Sequence, residues 1–295
     1  MNATYAELER QMAEAWESIG ICNDFIFCKI MQDEDLLAEL IRRILPDLRF
    51  CKLDIQAQKT VEIGPDIHGV RFDVFAELED GSTVEIEMQV LNTGNLPKRI
   101  RFYSSMADTQ MLEKGILYTG LKDSYVIMIC PFDGYGKGRH IYTFTNKCTE
   151  EPGLEMDDGT TKIVLNAAGT QDDVSEELKA FLDYVAGKRV DDEYVRRLDE
   201  AVIHARANKK WRKEYMTLMM RDLENQELGR EKGREEGREE GREEGRDVVN
   251  SLIKKLIGAG RFDDLNRAAN DPEYQNELIR TLLPDVWEKM NGLTV

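Results

Sequence analysis

The sequence predicts an α/β core with a mixed sheet flanked by helices, followed by a helical C-terminal region. Three observations carry that expectation. Two adjacent segments, Arg71–Leu78 and Thr83–Val90, alternate apolar and polar residues strictly, as half-buried strands do. Apolar residues recur at helical spacing on either side of them, before Pro46 and after Pro97. From about residue 174 onward the pattern is helical alone, broken by one low-complexity tract.

Taken in order, residues 2–19 have the spacing of an amphipathic helix. Asp24 to Leu45 reads as a second helix, with Phe27, Ile30, Met31, Leu37, Leu40, Ile41 and Ile44 near one face and Pro46 ending it. Lys52 to about Glu62 is extended, and Gly64-Pro65-Asp66 reads as a turn. In the first alternating strand Phe72, Val74 and Ala76 share one face, while Asp73, Phe75 and Glu77 share the other. In the second, Val84, Ile86, Met88 and Val90 face one way and Glu85, Glu87 and Gln89 the other. A helix follows Pro97 to about Lys114, with Gly115 as its C-cap. Tyr125–Cys130, His140–Thr145 and Lys162–Leu165 read as further strands.

The remainder is helical: Val174–Ala186, a long stretch from Asp191 to Leu228, then Val248–Ile257 and Tyr274–Leu283. Residues 229–246, GREKGREEGREEGREEGR, place glycine at every fourth position. Pairs such as Glu235 and Arg238 attract at i,i+3, but Arg234 and Arg238 repel at i,i+4. Each glycine costs up to about 1 kcal/mol against alanine, so the tract is a marginal helix or a solvated linker. These readings divide the chain into a core over 1–165, a helical extension over 166–228, the tract over 229–246 and a small helical unit over 247–295.

The net charge is −17, which gives the chain no bulk attraction for DNA or for anionic lipid. Contact with nucleic acid therefore needs a local basic patch, or metal ions on clustered carboxylates. The five cysteines are scattered without a CxxC pair, which argues against a zinc site and a disulfide framework. The N-terminal residues lack a basic n-region and an apolar h-region, and no segment reaches the ~18 apolar residues that span a bilayer. The expectation is a cytoplasmic, reducing setting without a membrane. His68, His140 and His204 are too scattered to suggest a histidine-based site.

The chemistry lies in RFDVFAELEDGSTVEIEMQV, residues 71–90. A two-residue Asp80-Gly81 turn would pair residue i with 161 − i and set Asp73 against Met88, a polar face against an apolar one. A three-residue loop, Glu79-Asp80-Gly81, with Gly81 left-handed in a G1 bulge, pairs i with 160 − i. It sets Asp73 opposite Glu87 and Phe75 opposite Glu85, and only this register keeps the faces consistent. The two carboxylates would then stand roughly 5 Å apart at Cβ. At that distance they raise each other's pKa, and a divalent cation removes the conflict. The alternative is an ordinary solvated sheet face. Glu77 and Glu85 project to the same side, as secondary ligands or as a solvated rim.

Asp73 followed by Glu87-Met88-Gln89 resembles the Asp…(Asp/Glu)-x-(Lys/Gln) signature of PD-(D/E)xK nucleases. More narrowly, the chain resembles the Rpn-type recombination-promoting nucleases, or PD-(D/E)xK nuclease family transposases. The resemblance rests on NDFIFCKIM at 23–31, RFDVFAE at 71–77, EIEMQ at 85–89, LPKRIRFYSSMADTQMLEKGILYTGLKDSYVIMIC at 96–130 and the repeated G-R-E-x units. It implies a restriction-endonuclease-like core and a bacterial DNA endonuclease linked to recombination, transposition or defence against foreign DNA. It also implies Mg2+, or another divalent cation such as Mn2+ or Ca2+. In that likeness Asp73 and Glu87 are metal ligands, and Gln89 completes the catalytic set at the lysine position. A catalytically inactive nuclease fold serving as an interaction module is the alternative.

Lys98, Arg99 and Arg101 open the helix after the hairpin and either bind DNA phosphates or form a solvated face. Glu39 could reach the metal from the second helix or lie exposed. Arg206, Lys209, Lys210, Arg212 and Lys213, around Trp211, form a second basic cluster that tracks DNA or simply meets solvent. Pro65-Asp66 is a literal "PD" pair, but no register ties it to Glu87. The long helix from Asp191 motivates a homodimer through the C-terminal helices.

Overall fold

A computed structural model of the chain describes residues 5–57, 60–61, 70–111 and 117–290. They fall into two compact units, 1–217 and 218–295. The turn expected at 64–66, the Pro65-Asp66 pair, His68 and Gly115 lie outside the described residues.

The first unit opens with α1 (Tyr5–Ser18), α2 (Asp24–Ile30) and α3 (Glu34–Ile44). The single helix expected over Asp24–Leu45 is therefore two. Asp33 causes the break, because its carboxylate accepts the Leu36 N–H at 3.0 Å and starts a new helix. Asn23 caps α2 in the same way, through the Ile26 N–H at 3.2 Å.

Extended segments follow: β1 (Leu53–Ala57), β2 (Thr60–Val61), β3 (Val70–Arg71), β4 (Val74–Leu78) and β5 (Thr83–Met88). After α4 (Leu96–Met111) come β6 (Ser124–Cys130), β7 (Ile141–Phe144) and β8 (Thr160–Asn166). The main sheet runs β1-β4-β5-β6-β8-β7, while β2 and β3 pair separately. It is mixed: β5, β6 and β8 are parallel, and β1, β4 and β7 are antiparallel to their neighbours.

The β4–β5 hairpin adopts the 160 − i register, pairing Val74 with Ile86 and Phe75 with Glu85. Gly81 takes φ +86°, the left-handed conformation that this loop requires. Phe72 departs from the expected alternation. The strand is interrupted at Phe72 and Asp73, and Phe72 joins Phe75 in one cluster with ring centroids 5.7 Å apart.

β5 is a central strand and all six of its residues are buried. Glu85 and Glu87 pair with Val126 and Met128 of β6 and so share their face. α4 covers that face with Leu96, Ile100, Tyr103, Met106 and Ala107. α2 packs against β5 and against α6 (Glu193–Ala207). Each fully buried Leu, Ile or Phe contributes roughly 1.5–3 kcal/mol, so the central strand is held from the sheet plane and from the helices packed on it.

α5 (Glu176–Val185) and α6 precede α7, which runs from Lys209 to Gly258 and spans the low-complexity tract as continuous helix. Of the two expectations for 229–246, the helix is found, and all its charged side chains are exposed. In the second unit the end of α7 packs Leu252 and Leu256 against Ala268 of α8 (Phe262–Ala268) and Leu278 and Ile279 of α9 (Pro272–Leu282). α10 (Pro284–Met290) completes that unit. All five cysteines are free. Among the described residues no helix is long and apolar enough to cross a membrane.

Candidate metal centre

Asp73 and Glu87 meet where the β4–β5 pairing runs out, and each carboxylate takes over a backbone bond. Glu87 Oε1 accepts the Asp73 N–H at 2.8 Å, and Asp73 Oδ2 accepts the Met88 N–H at 3.0 Å. Both side chains are buried, Asp73 at 7% exposure and Glu87 at 3%. Burial pushes the Asp73 carboxyl up to about 6, and the neighbouring Asp24 adds to it, against the opposing Met88 N–H and Arg71. Glu87 is raised well above the usual carboxylate range, first by burial and then by Asp73.

Gln89 lies one strand period beyond Glu87, at 9% exposure, and its amide donates to the Leu91 carbonyl at 2.6 Å. Glu85 is fully buried beneath α4, so it forms no solvated rim, whereas Glu77 is exposed. Glu39 lies elsewhere, bonded to Arg43 Nε at 3.0 Å. The element that approaches Asp73 is α2 instead. The buried Cys28 thiol is hydrogen-bonded to Asp73 and pushed up chiefly by burial, while Asp24 repels the Asp73 charge.

The three basic residues of α4 divide. Lys98 and Arg101 are exposed, whereas Arg99 is half-buried and its Nη2 donates to the Tyr103 hydroxyl at 2.9 Å. Arg99 and the Tyr103 hydroxyl both favour the ionised form of Glu87. Sequence reasoning missed Tyr103, Cys28 and Asp24. For Tyr103 the signal was present, because residues 99 and 103 are helical i,i+4 neighbours. In the second basic cluster, Arg206 Nε donates to the Ile19 carbonyl at 2.7 Å and Arg212 lies 3.5 Å from Glu17, while Lys209, Lys210 and Lys213 are exposed.

Two adjacent buried carboxylates form a hard oxygen donor set, and Mg2+ is typically held by one or two carboxylates with water and substrate oxygens completing the shell. Among the described residues no group of three or more His, Cys, Asp or Glu side chains is placed to hold a metal ion. Asp73 and Glu87 would supply two of the oxygens of such a shell.

Residues 21–154 match the family model described as PD-(D/E)XK nuclease family transposase. No curated protein and no solved structure matches the chain.

Proposed function

We propose that the chain, whose residues 21–154 match the PD-(D/E)XK nuclease family transposase model, is a metal-dependent DNA endonuclease serving recombination, transposition or defence against foreign DNA. The observation that supports this reading best is the Asp73–Glu87 pair, two buried carboxyl groups each held by a backbone N–H, of Met88 and of Asp73. Burial of that kind is costly unless a cation or a function compensates it.

In this reading Asp73 and Glu87 hold Mg2+, or Mn2+ or Ca2+ in its place. A cation bound there would lower the pKa of an attacking water and neutralise charge on the phosphate. Asp73 and Glu87 keep their oxygens in place through the Met88 and Asp73 amides, so little reorganisation is needed at the moment of reaction. Gln89 orients the water or the phosphate with its amide. Lys98, Arg99 and Arg101 contact DNA phosphates from the start of α4. The water oxygen bonds to phosphorus and the phosphodiester P–O bond breaks. The leaving oxygen takes up a proton, and the water releases one to solvent.

DNA is the partner, the setting is cytoplasmic, and a second copy of the chain joins through the C-terminal helices. That last point rests on the exposed course of α7 and is checked by light scattering across a concentration series, where a constant monomer mass would sink it. The central test is cleavage of supercoiled plasmid with Mg2+, Mn2+, Ca2+ or EDTA, comparing wild type with Asp73→Ala. The expected outcome is metal-dependent nicking or linearisation, lost by at least about 10^3-fold in the variant. Folded wild-type protein that binds Mn2+ and cuts nothing would instead mark an interaction module.

A further inference from the structure

Asp73 and Glu87 bring only acidic groups to the site, and a phosphodiester under attack adds negative charge. Gln89, one residue past the end of β5 and in line with Glu85 and Glu87, brings none of the opposite sign. Two guanidinium groups act on the pair. Arg71 lies 3.9 Å from Asp24, and both side chains are about half exposed (48% and 54%), so it forms a solvated ion pair at the margin.

Arg99 is held differently. Its guanidinium stands 5.2 Å from the centroid of the Tyr103 ring and donates to the Tyr103 hydroxyl at 2.9 Å. Tyr103 is itself fixed, edge-on against Phe72 with centroids 5.6 Å apart. The Nε of Arg99 is buried and has no hydrogen-bond partner among the described residues. A buried, charged donor without an acceptor is costly; the residue as a whole is half-buried, and an anion reaching its guanidinium would offset that cost through a charge-assisted bond. The Arg99 charge also favours the ionised form of Glu87.

We infer that Arg99 is the cation of the cleavage site, bound to the scissile phosphate, and that Tyr103 positions it. The inference rests on the nuclease reading above. Arg99 keeps its proton throughout, since a guanidinium does not deprotonate in proteins. It stabilises the charge that grows on the non-bridging oxygens as the water–phosphorus bond forms and the ester bond breaks. Lys98 and Arg101 have a different part: exposed on the same helix, they hold the DNA backbone and carry no reacting charge.

The test compares Arg99→Met, Arg99→Lys, Tyr103→Phe and the double variant Lys98→Ala/Arg101→Ala with wild type. It measures kcat and KM for DNA cleavage, Mn2+ affinity by electron paramagnetic resonance, and thermal unfolding. Arg99→Met is expected to lower kcat by about 10^2–10^3-fold, with KM within about threefold and Mn2+ binding retained. Arg99→Lys should recover part of the rate, and Tyr103→Phe should lose on the order of tenfold in kcat. The double variant should raise KM. If Arg99→Met is too unstable to assay, Arg99→Lys and Tyr103→Phe carry the same kcat test. A folded Arg99→Met that cuts within threefold of a competent wild type overturns the inference. So does a defect confined to KM that lysine fails to relieve. Wild type that binds Mn2+ and cuts nothing removes the nuclease reading itself, and the inference with it.

Discussion

The β4–β5 hairpin and the 229–246 stretch of α7 both repeat acidic residues at regular spacing, and they treat those residues in opposite ways. In the hairpin Asp73, Glu85 and Glu87 are buried, with α4 laid over the face that carries the two glutamates. In the stretch every charged side chain is exposed, and its ion pairs are loose, such as Lys232 with Glu236 at 3.8 Å. Regular spacing therefore reports secondary structure in both places, but only burial turns it into chemistry. An exposed carboxylate on a helix is worth little either way. A buried one is costly and has to be held, neutralised or used.

The sharpest test of that contrast concerns stability without metal. Asp73 titrates at about 6 in the folded chain against an ordinary 3.8, so between those values the folded state holds a proton that the unfolded state has lost. Its contribution is fully present at low pH and is lost as pH rises through about 6. Asp73→Asn should therefore be more stable than wild type at pH 7, by up to about 3 kcal/mol, and the gain should vanish near pH 4. Added Mg2+ should stabilise wild type at pH 7 and leave the variant unmoved. Denaturant unfolding at the two pH values checks it, and a variant less stable than wild type at pH 7 would break the comparison.

A smaller effect comes from the same substitution made in both regions. Gly81 is left-handed, and an added Cβ would meet the Lys122 side chain at 3.3 Å, so Gly81→Ala should cost about 1–2 kcal/mol. Gly237 has open space around it, so Gly237→Ala should stabilise its helix by up to about 1 kcal/mol. The first is read from the thermal midpoint, and the second from slower amide exchange over 229–246 with cleavage unchanged. Equal signs at the two positions would show that the tract is not helical in solution.

Those two glycines also mark what was legible in the sequence. The hairpin register could be read because Gly81 and strict alternation admit only one pairing with consistent faces. The side occupied by Phe72 could not, because alternation says nothing across a strand interruption. The division of Asp24–Leu45 was written in Asn23 and Asp33, two residues that cap helices, but the apolar stripe continues across the break and hides it. For the site, same-strand neighbours were within reach, whereas Cys28 and Asp24 approach from a helix whose placement depends on packing. Glu39 was the plausible acidic residue on the wrong helix, drawn off by Arg43. Local propensity argued against helix over 229–246. The helix is continuous there, and it is anchored beyond the tract by Leu252 and Leu256.

The hairpin ties strand pairing to the acidic pair. The Asp73 and Met88 amides donate to Glu87 and Asp73, so the last rung of the ladder is built from the same oxygens that would grip a cation. Strand pairing and site occupancy are thereby written into two main-chain protons. Their resonances form a built-in gauge: any ion that withdraws electron density from those carboxylates weakens the bonds and shifts both signals together, whether or not DNA is present.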